Sequence, residues 1–358
     1  MKKSLLALAV LGAFAGVASA QSSVTLYGTV DLSAKYVKND GSDRRYSLSQ
    51  DGINSSQLGF KGIEDLGGGL KAGFVLLAGV NADTGSGNTQ FWNRRATVSL
   101  MGNFGEVRLG RDYTPTFWNN TVFDAFGTNG LGDSSHVLQM ATGTFVRANN
   151  SIGYFLPSGI GGVYGQFMAA ASEGAAGPTL NGTANVGANP GRYVGGRVGF
   201  AAGPFDIAGA FASQRLDATA GAPSQKTYNI GGSYDLSVVK LMGYFNRDTL
   251  SFTGVEKKEN RGSFSAVVPF GQSEIHAGYS LSKLDTNGVS TKIDQFALGY
   301  VYNLSKRTAV YTTVSRLNNK NGTANSVASG TAQTAAPSGV AGASLKSTGA
   351  EFGLRHFF

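Results

Sequence analysis

Residues 347–358 read "STGAEFGLRHFF". Counting back by twos from the end gives Phe358, His356, Leu354, Phe352 and Ala350, and the set between them is Phe357, Arg355, Gly353 and Glu351. One set is mainly apolar and the other mainly polar, which is the period of a strand whose side chains alternate between two faces. Chain ends are usually polar and frayed. A strand that runs to the last residue needs a neighbour for its N–H and C=O groups. The stretch "SVTLYGTVDLSAKYV" (23–37) alternates in the same way and can supply one. Val24, Leu26, Gly28, Val30, Leu32, Ala34 and Tyr36 form one face, with Thr25, Tyr27, Thr29, Asp31, Ser33 and Lys35 on the other.

About sixteen such runs follow one another along the chain. "KTYNIGGSYDL" (226–236) sets Tyr228, Ile230, Gly232 and Tyr234 against Thr227, Asn229, Ser233 and Asp235, and "SEIHAGYSLSK" (273–283) repeats the pattern. "TKIDQFALGYVYNL" (291–304) fits only with a register break near Asp294. Short connections near 64–69, 102–105, 157–162, 201–204, 235–238, 269–272 and 303–307 alternate with long ones near 40–52, 82–90, 112–146, 173–190, 215–225, 249–260, 283–291 and 318–346. Unequal connections in strict alternation describe an up-and-down meander with all long loops at one end. Runs of about 9–11 residues can cross a bilayer as tilted strands. A sheet in lipid has to close, because no water is there to satisfy an open edge.

The composition agrees. No stretch reaches the ~18 apolar residues of a membrane-spanning helix, and glycine is abundant, at 52 of 358 residues. The start, "MKKSLLALAVLGAFAGVASA", has two lysines, a short apolar run and an A-x-A ending, so it reads as a secretory leader cleaved after Ala20. Its removal lowers the formal charge from +8 to +6. Absent cysteine and three histidines leave little for disulfides or a transition-metal site, and no metal or cofactor is expected. Lys and Arg are dispersed, which argues against nucleic acid. Asp133, Ser134 and His136 contain hydrolase-type side chains, but neighbours on a glycine-rich loop do not supply an oriented base. "GIGGVYG" (159–165) precedes another strand pattern, whereas a phosphate-binding glycine loop needs a helix there.

Seven stretches, in order, resemble the general porins of Gram-negative outer membranes, of the betaproteobacterial type: "SVTLYGTVD", "QLGFKGIEDLGGGLKAGF", "FWNRRATVSLMGNFGEVRLGRDYTP", "RANNSIGY", "VPFG", "LGYVYNLSKRTAVY" and "GLRHFF". The resemblance implies an all-β, 16-stranded antiparallel transmembrane barrel over 21–358. It also implies short periplasmic turns, long extracellular loops, and a third loop folded into the lumen. It further implies a homotrimer in outer-membrane lipid and lipopolysaccharide, passing ions and small hydrophilic solutes, with the terminal Phe358 read by the barrel-assembly machinery. A substrate-specific channel or a surface adhesin on the same barrel is the alternative; the former is expected to show an aromatic track along the lumen.

Selectivity in such a pore comes from its width and from the charges at its narrowest point. Loop 111–145 carries Asp112, Asp124 and Asp133. In the family an acidic segment of this loop faces wall arginines, and Arg94 and Arg147 match two of those positions. The third is Gln57, which removes one fixed positive charge. Lys61 shares the alternation of Gln57, and Arg111, Arg197 and Arg355 also fall on inferred inward faces. Family alignment favours Arg94 as the inward member of its pair, whereas the apolar set Ala96, Val98, Leu100 favours Arg95.

Overall fold

A computed structural model describes residues 23–140, 145–171, 192–216, 223–252, 254–328, 337–338 and 344–358. The expected leader and parts of several connections expected to be long lie outside the described residues. The wall begins with β1 (Ser23–Asn39), then β2 in two pieces (Arg45–Gln50 and Gln57–Gly67), β3 (Leu70–Asn81), β4 (Arg95–Gly102), β5 (Gly105–Tyr113) and β6 (Arg147–Phe155). It continues with β7 (Val163–Ala170), β8 (Tyr193–Ala202), β9 (Phe205–Arg215), β10 (Ser224–Asp235) and β11 (Lys240–Phe252). The last five are β12 (Val255–Phe270), β13 (Ser273–Thr286), β14 (Val289–Asn303), β15 (Thr308–Lys320) and β16 (Leu345–Phe357). Both pieces of β2 pair with β1, so they are one wall strand, and the barrel has sixteen.

Closure joins the chain ends. β1 and β16 run antiparallel from Thr29 opposite Phe357 to Asn39 opposite Ser347. Beyond the ladder, Gly28 and Phe358 exchange two backbone hydrogen bonds of 3.1 Å. A Cβ on Gly28 would lie 2.3 Å from the Phe358 ring, so the missing side chain seats the terminal aromatic. That leaves no open edge.

The faces follow the alternation. On β1, Thr29, Asp31, Ser33 and Lys35 are buried inside, while Val24, Leu26 and Val30 are exposed outside. Exposed apolar side chains such as Phe264, Ile230, Phe352 and Leu354 continue the outer band around the wall. A membrane protein inverts the usual arrangement because lipid is the solvent of its outer face.

Several expected details change. The connections expected to be long near 249–260 and 283–291 are tight turns, because the ladders continue to Phe252 opposite Val255 and to Thr286 opposite Val289. β14 pairs without interruption from Lys292 to Asn303, so no register break occurs at Asp294. The pattern looked broken because Asp294 lies outside, above the apolar band, where it bonds Lys320 at 2.8 Å. The expected loop at 40–52 is also redistributed. The chain turns over 40–44, returns as a strand, and only then bulges inward at 51–56. The Asp31 carboxylate holds this bulge by accepting from the N–H groups of Gly52, Ile53 and Asn54 at 3.2, 3.0 and 2.7 Å.

The third long connection lies inside the barrel. It opens with helix α1 (Pro115–Val122), capped by Thr114, whose Oγ1 accepts from Phe117 N. Proline at the first helical position costs nothing there, since that N–H has no intrahelical partner. Short 3₁₀ turns follow at Gly130–Gly132 and Ser134–Val137. Inward-facing wall glycines make room for the loop. A Cβ on Gly231 would sit 2.4 Å from the Phe123 ring, and one on Gly278 or Gly299 would sit 3.1 Å from Phe126. Part of the high glycine content is therefore a set of seats for the loop.

Candidate functional site

Polar bonds tack the inner loop to the far wall. Glu259 on β12 accepts from Gln139 N and Met140 N, each at 2.9 Å. Glu351 on β16 accepts from Leu131 N at 3.2 Å. Asn119 of α1 donates to the Ala208 carbonyl and to Asn229 and accepts from Arg197 Nε at 2.7 Å. Bonds to charged groups contribute about 1.5–3 kcal/mol each, so the loop is a fixed partition.

The partition divides the lumen into chambers. The upper one, of about 640 Å³, is lined by Lys35, Asp51, Gln57, Arg94, Tyr113, Trp118, Asp133, Phe145 and Arg147, among others. A lower chamber of about 540 Å³ is lined by Tyr27, Arg95, Arg108, Asp112, Phe155, Tyr164 and Arg197. A second lower space of about 330 Å³ holds Asp124, Glu274, His276 and Arg355. Gln57, Tyr113 and Trp118 line both the upper chamber and the larger lower one, so they mark the passage between them.

Arg94 and Arg95 both reach the lumen. Arg95 follows the inward alternation of Thr97 and Ser99, which are buried, while Val98 and Leu100 are exposed outside. Arg94 stands just before the strand and enters the upper chamber, 3.9 Å from Asp51. Its pKa is lowered chiefly by burial, with a smaller lowering from Arg147, which lines the same chamber. Arg147 donates to the Tyr113 hydroxyl at 2.9 Å and lies 4.4 Å above its ring.

The other candidates are scattered. Lys61 is on the inner face, opposite Thr25 near the periplasmic end, with its ammonium 5.4 Å from the Tyr27 ring. Arg111 pairs with Ala96 on one side, and the ladder on its other side shifts register between Gly110 and Asp112. Its guanidinium donates to the Asn93 carbonyl at 2.7 Å and to Asn149. Asp133 lines the upper chamber while accepting from Ser135 N and Oγ. Asp124 is turned into its own loop, accepting from Phe126 N, Thr128 N and Ser134 Oγ. Burial first, and then Asp133, pushes its pKa up to about 6. Ser134 bonds Asp124 and the Tyr244 hydroxyl at 2.8 Å each.

Sequence reasoning left out Lys35, Asp51 and Arg108 as lumen groups. Alternation on β1 and β5 contains the signal for Lys35 and Arg108. Asp51 depends on the bulge and has none. Among the residues named for the three chambers, seven basic side chains (Lys35, Arg94, Arg95, Arg108, Arg147, Arg197, Arg355) stand against five acidic ones (Asp51, Asp112, Asp124, Asp133, Glu274).

A Gram-negative porin family model matches residues 7–322. The chain belongs to that family. It is 40% identical to outer membrane porin protein 32 of Delftia acidovorans, over the whole of both chains. An outer membrane porin protein of Bordetella pertussis is 30% identical, with 87% of this chain and 93% of that one covered. Among solved structures, an anion-selective porin from Comamonas acidovorans superposes with a TM-score of 0.80 at 37% identity, covering 94% of this chain and all of that one. With the closed barrel, these relationships make this protein a multi-pass outer-membrane porin.

Proposed function

We propose that this porin is a general diffusion pore for ions and small hydrophilic solutes, with a weak to moderate preference for anions. The observation that carries the reading is the cationic excess lining the three chambers, with Arg94 and Arg147 together in the upper one. Opposing walls of a narrow lumen lie within the ~8 Å screening length at physiological salt, so a passing ion feels these charges. Gln57 at the passage moderates the preference by supplying an amide where a relative with Arg has a cation.

The same reading extends to assembly and surroundings. Residues 1–20 serve as the export leader, and Phe358, exposed on the outer face at the periplasmic end, serves as the signal for barrel assembly. Apolar side chains on the outside of β1 and β2, including Val24, Leu26, Tyr46 and Leu48, suit the contact face of a homotrimer. On the outer face at the opposite end, Lys226, Arg247, Lys283, Lys292 and Arg316 are exposed above the apolar band. They suit the phosphates of lipopolysaccharide.

Planar-bilayer conductance tests the proposal. Single-channel current that scales with bulk salt, with a modest anion-selective reversal potential, supports it. Absence of conductance, or current that saturates at low salt, contradicts a general pore.

A further inference from the structure

Aromatic side chains and arginines recur through both chambers as a ladder. In the upper chamber the rings of Phe145 and Phe117 meet edge to face at 5.9 Å, Phe117 stacks on Tyr113 at 5.9 Å, and Tyr113 leans on Trp118 at 5.6 Å. Tyr113 and Trp118 also line the larger lower chamber, where Tyr27, Phe155 and Tyr164 continue the series. Guanidinium groups are interleaved along it. Arg147 lies 4.4 Å above Tyr113, Arg108 lies 3.9 Å above Phe155, and Arg197 lies 4.7 Å above Tyr164. A pore that separates solutes by size alone has no need of such a surface.

The lower chamber has the makings of a binding site. Its volume, about 540 Å³, falls within the ~300–1,000 Å³ of small-molecule sites. Three arginines line it against one carboxylate, Asp112. Arg108 is occupied by Glu106 and Asp112. Arg95 is not. Among the described residues it donates through Nε to Thr97 Oγ1 at 3.2 Å and stands 3.5 Å from Asp112, which leaves both terminal nitrogens for a solute. Those two nitrogens match a carboxylate in a planar, two-pronged contact. Tyr27, Trp118 and Tyr164 offer ring faces and edges in the same space, and aromatic pairs gain energy beyond area burial.

We propose that the ladder is a binding track for small aromatic carboxylates, with its main station in the lower chamber lined by Arg95 and Trp118. The acid's carboxylate meets the free edge of Arg95 while its ring rests against the aromatic wall. Movement along the track exchanges one ring-and-guanidinium contact for the next. This assignment rests on the reading of the protein as an anion-preferring pore, and it narrows "small hydrophilic solutes" to one favoured class.

Three acids of equal charge separate the contributions. Folded wild-type porin in planar bilayers is exposed to benzoate, cyclohexanecarboxylate and acetate while the chloride current is recorded. Benzoate is expected to block in a saturable way, with an apparent Kd at least fivefold lower than that of cyclohexanecarboxylate, which has similar bulk but no ring face. Trp118→Leu should weaken the benzoate block at least fivefold. Arg95→Gln should weaken block by both ring acids. Equal block by benzoate and cyclohexanecarboxylate in the wild type overturns the proposal, whether or not the variants fold. An unaltered benzoate block in folded Trp118→Leu overturns it as well. A wild-type pore selective for cations instead removes the underlying reading of the pore.

Discussion

Arg94 and Arg95 are adjacent in the chain and serve two different chambers. Arg94 lies 3.9 Å from Asp51 in the upper one, and Arg95 lies 3.5 Å from Asp112 in the lower. A regular strand would send neighbours to opposite faces. Here β4 begins only at Arg95, so the residue before it is free of the alternation and turns inward. Either Arg94→Gln or Arg95→Gln is therefore expected to lower the anion-to-cation permeability ratio. If only one did so, in zero-current potentials across a KCl gradient, the two-chamber assignment would fail.

Asp124 gives the pore a pH dependence whose sign can be worked out. Its pKa is raised from 3.8 to about 6, so the folded state holds this proton more tightly than the unfolded chain. The corresponding stability is fully present below about pH 4 and is lost as pH rises through about 6. Charge follows the same titration: the side chain is ionised at pH 7.5 and neutral at pH 5. Acidification should therefore raise anion preference, and Asp124→Asn should raise it at pH 7.5 while flattening the change between pH 7.5 and 5. An Asn variant with the wild-type pH profile would assign the titration to another group.

Much of the barrel was legible because lipid imposes period two on every strand. Closure through Phe358, about sixteen strands and the short turns follow from alternation, whereas the connections near 249–260 and 283–291 read as long although strand pairing runs through them. The inner loop was harder to read. Its anchors, Glu259 and Glu351, read as ordinary inward polar residues. Nothing local reveals that they meet backbone N–H groups 120 and 220 positions away. Arg111 was harder to place, because the ladder shifts register between Gly110 and Asp112 and alternation does not carry through it. The bulge at 51–56 was hidden because it depends on Asp31, a residue of the neighbouring strand.

Loop anchoring predicts a gating phenotype. Replacing Glu259 by Gln converts one of its two acceptor oxygens into a donor facing a backbone N–H, and weakens a contact worth about 1.5–3 kcal/mol. The variant should fold and conduct, but with frequent steps between current levels that the wild type does not show. Ser282→Ala, which removes a 2.8 Å bond to the same carboxylate, should give a milder version. Quiet single-channel records from folded Glu259→Gln would show that the loop stays in place without this anchor.

The outer face supplies a stability test. Phe264 is 60% exposed within the lipid-facing band, and Arg near the bilayer midplane costs about 2–4 kcal/mol. Phe264→Arg should therefore reduce the heat-modifiable folded fraction, whereas Gln57→Arg, which points into the lumen, should fold normally and strengthen anion preference. Equal losses from both would contradict the inside–outside assignment.

The central claim is that positive charge around the passage sets the preference of the pore, and Arg147 is its most direct probe. It lines the upper chamber, acts on Arg94, and is held over Tyr113 at the boundary of the two chambers. The reversal potential of single channels in a tenfold KCl gradient, compared between wild type and Arg147→Glu, measures that charge. The expected result is a modestly anion-selective wild type and a variant shifted clearly toward cations. A cation-selective wild type, or a variant whose reversal potential does not move, would contradict the account.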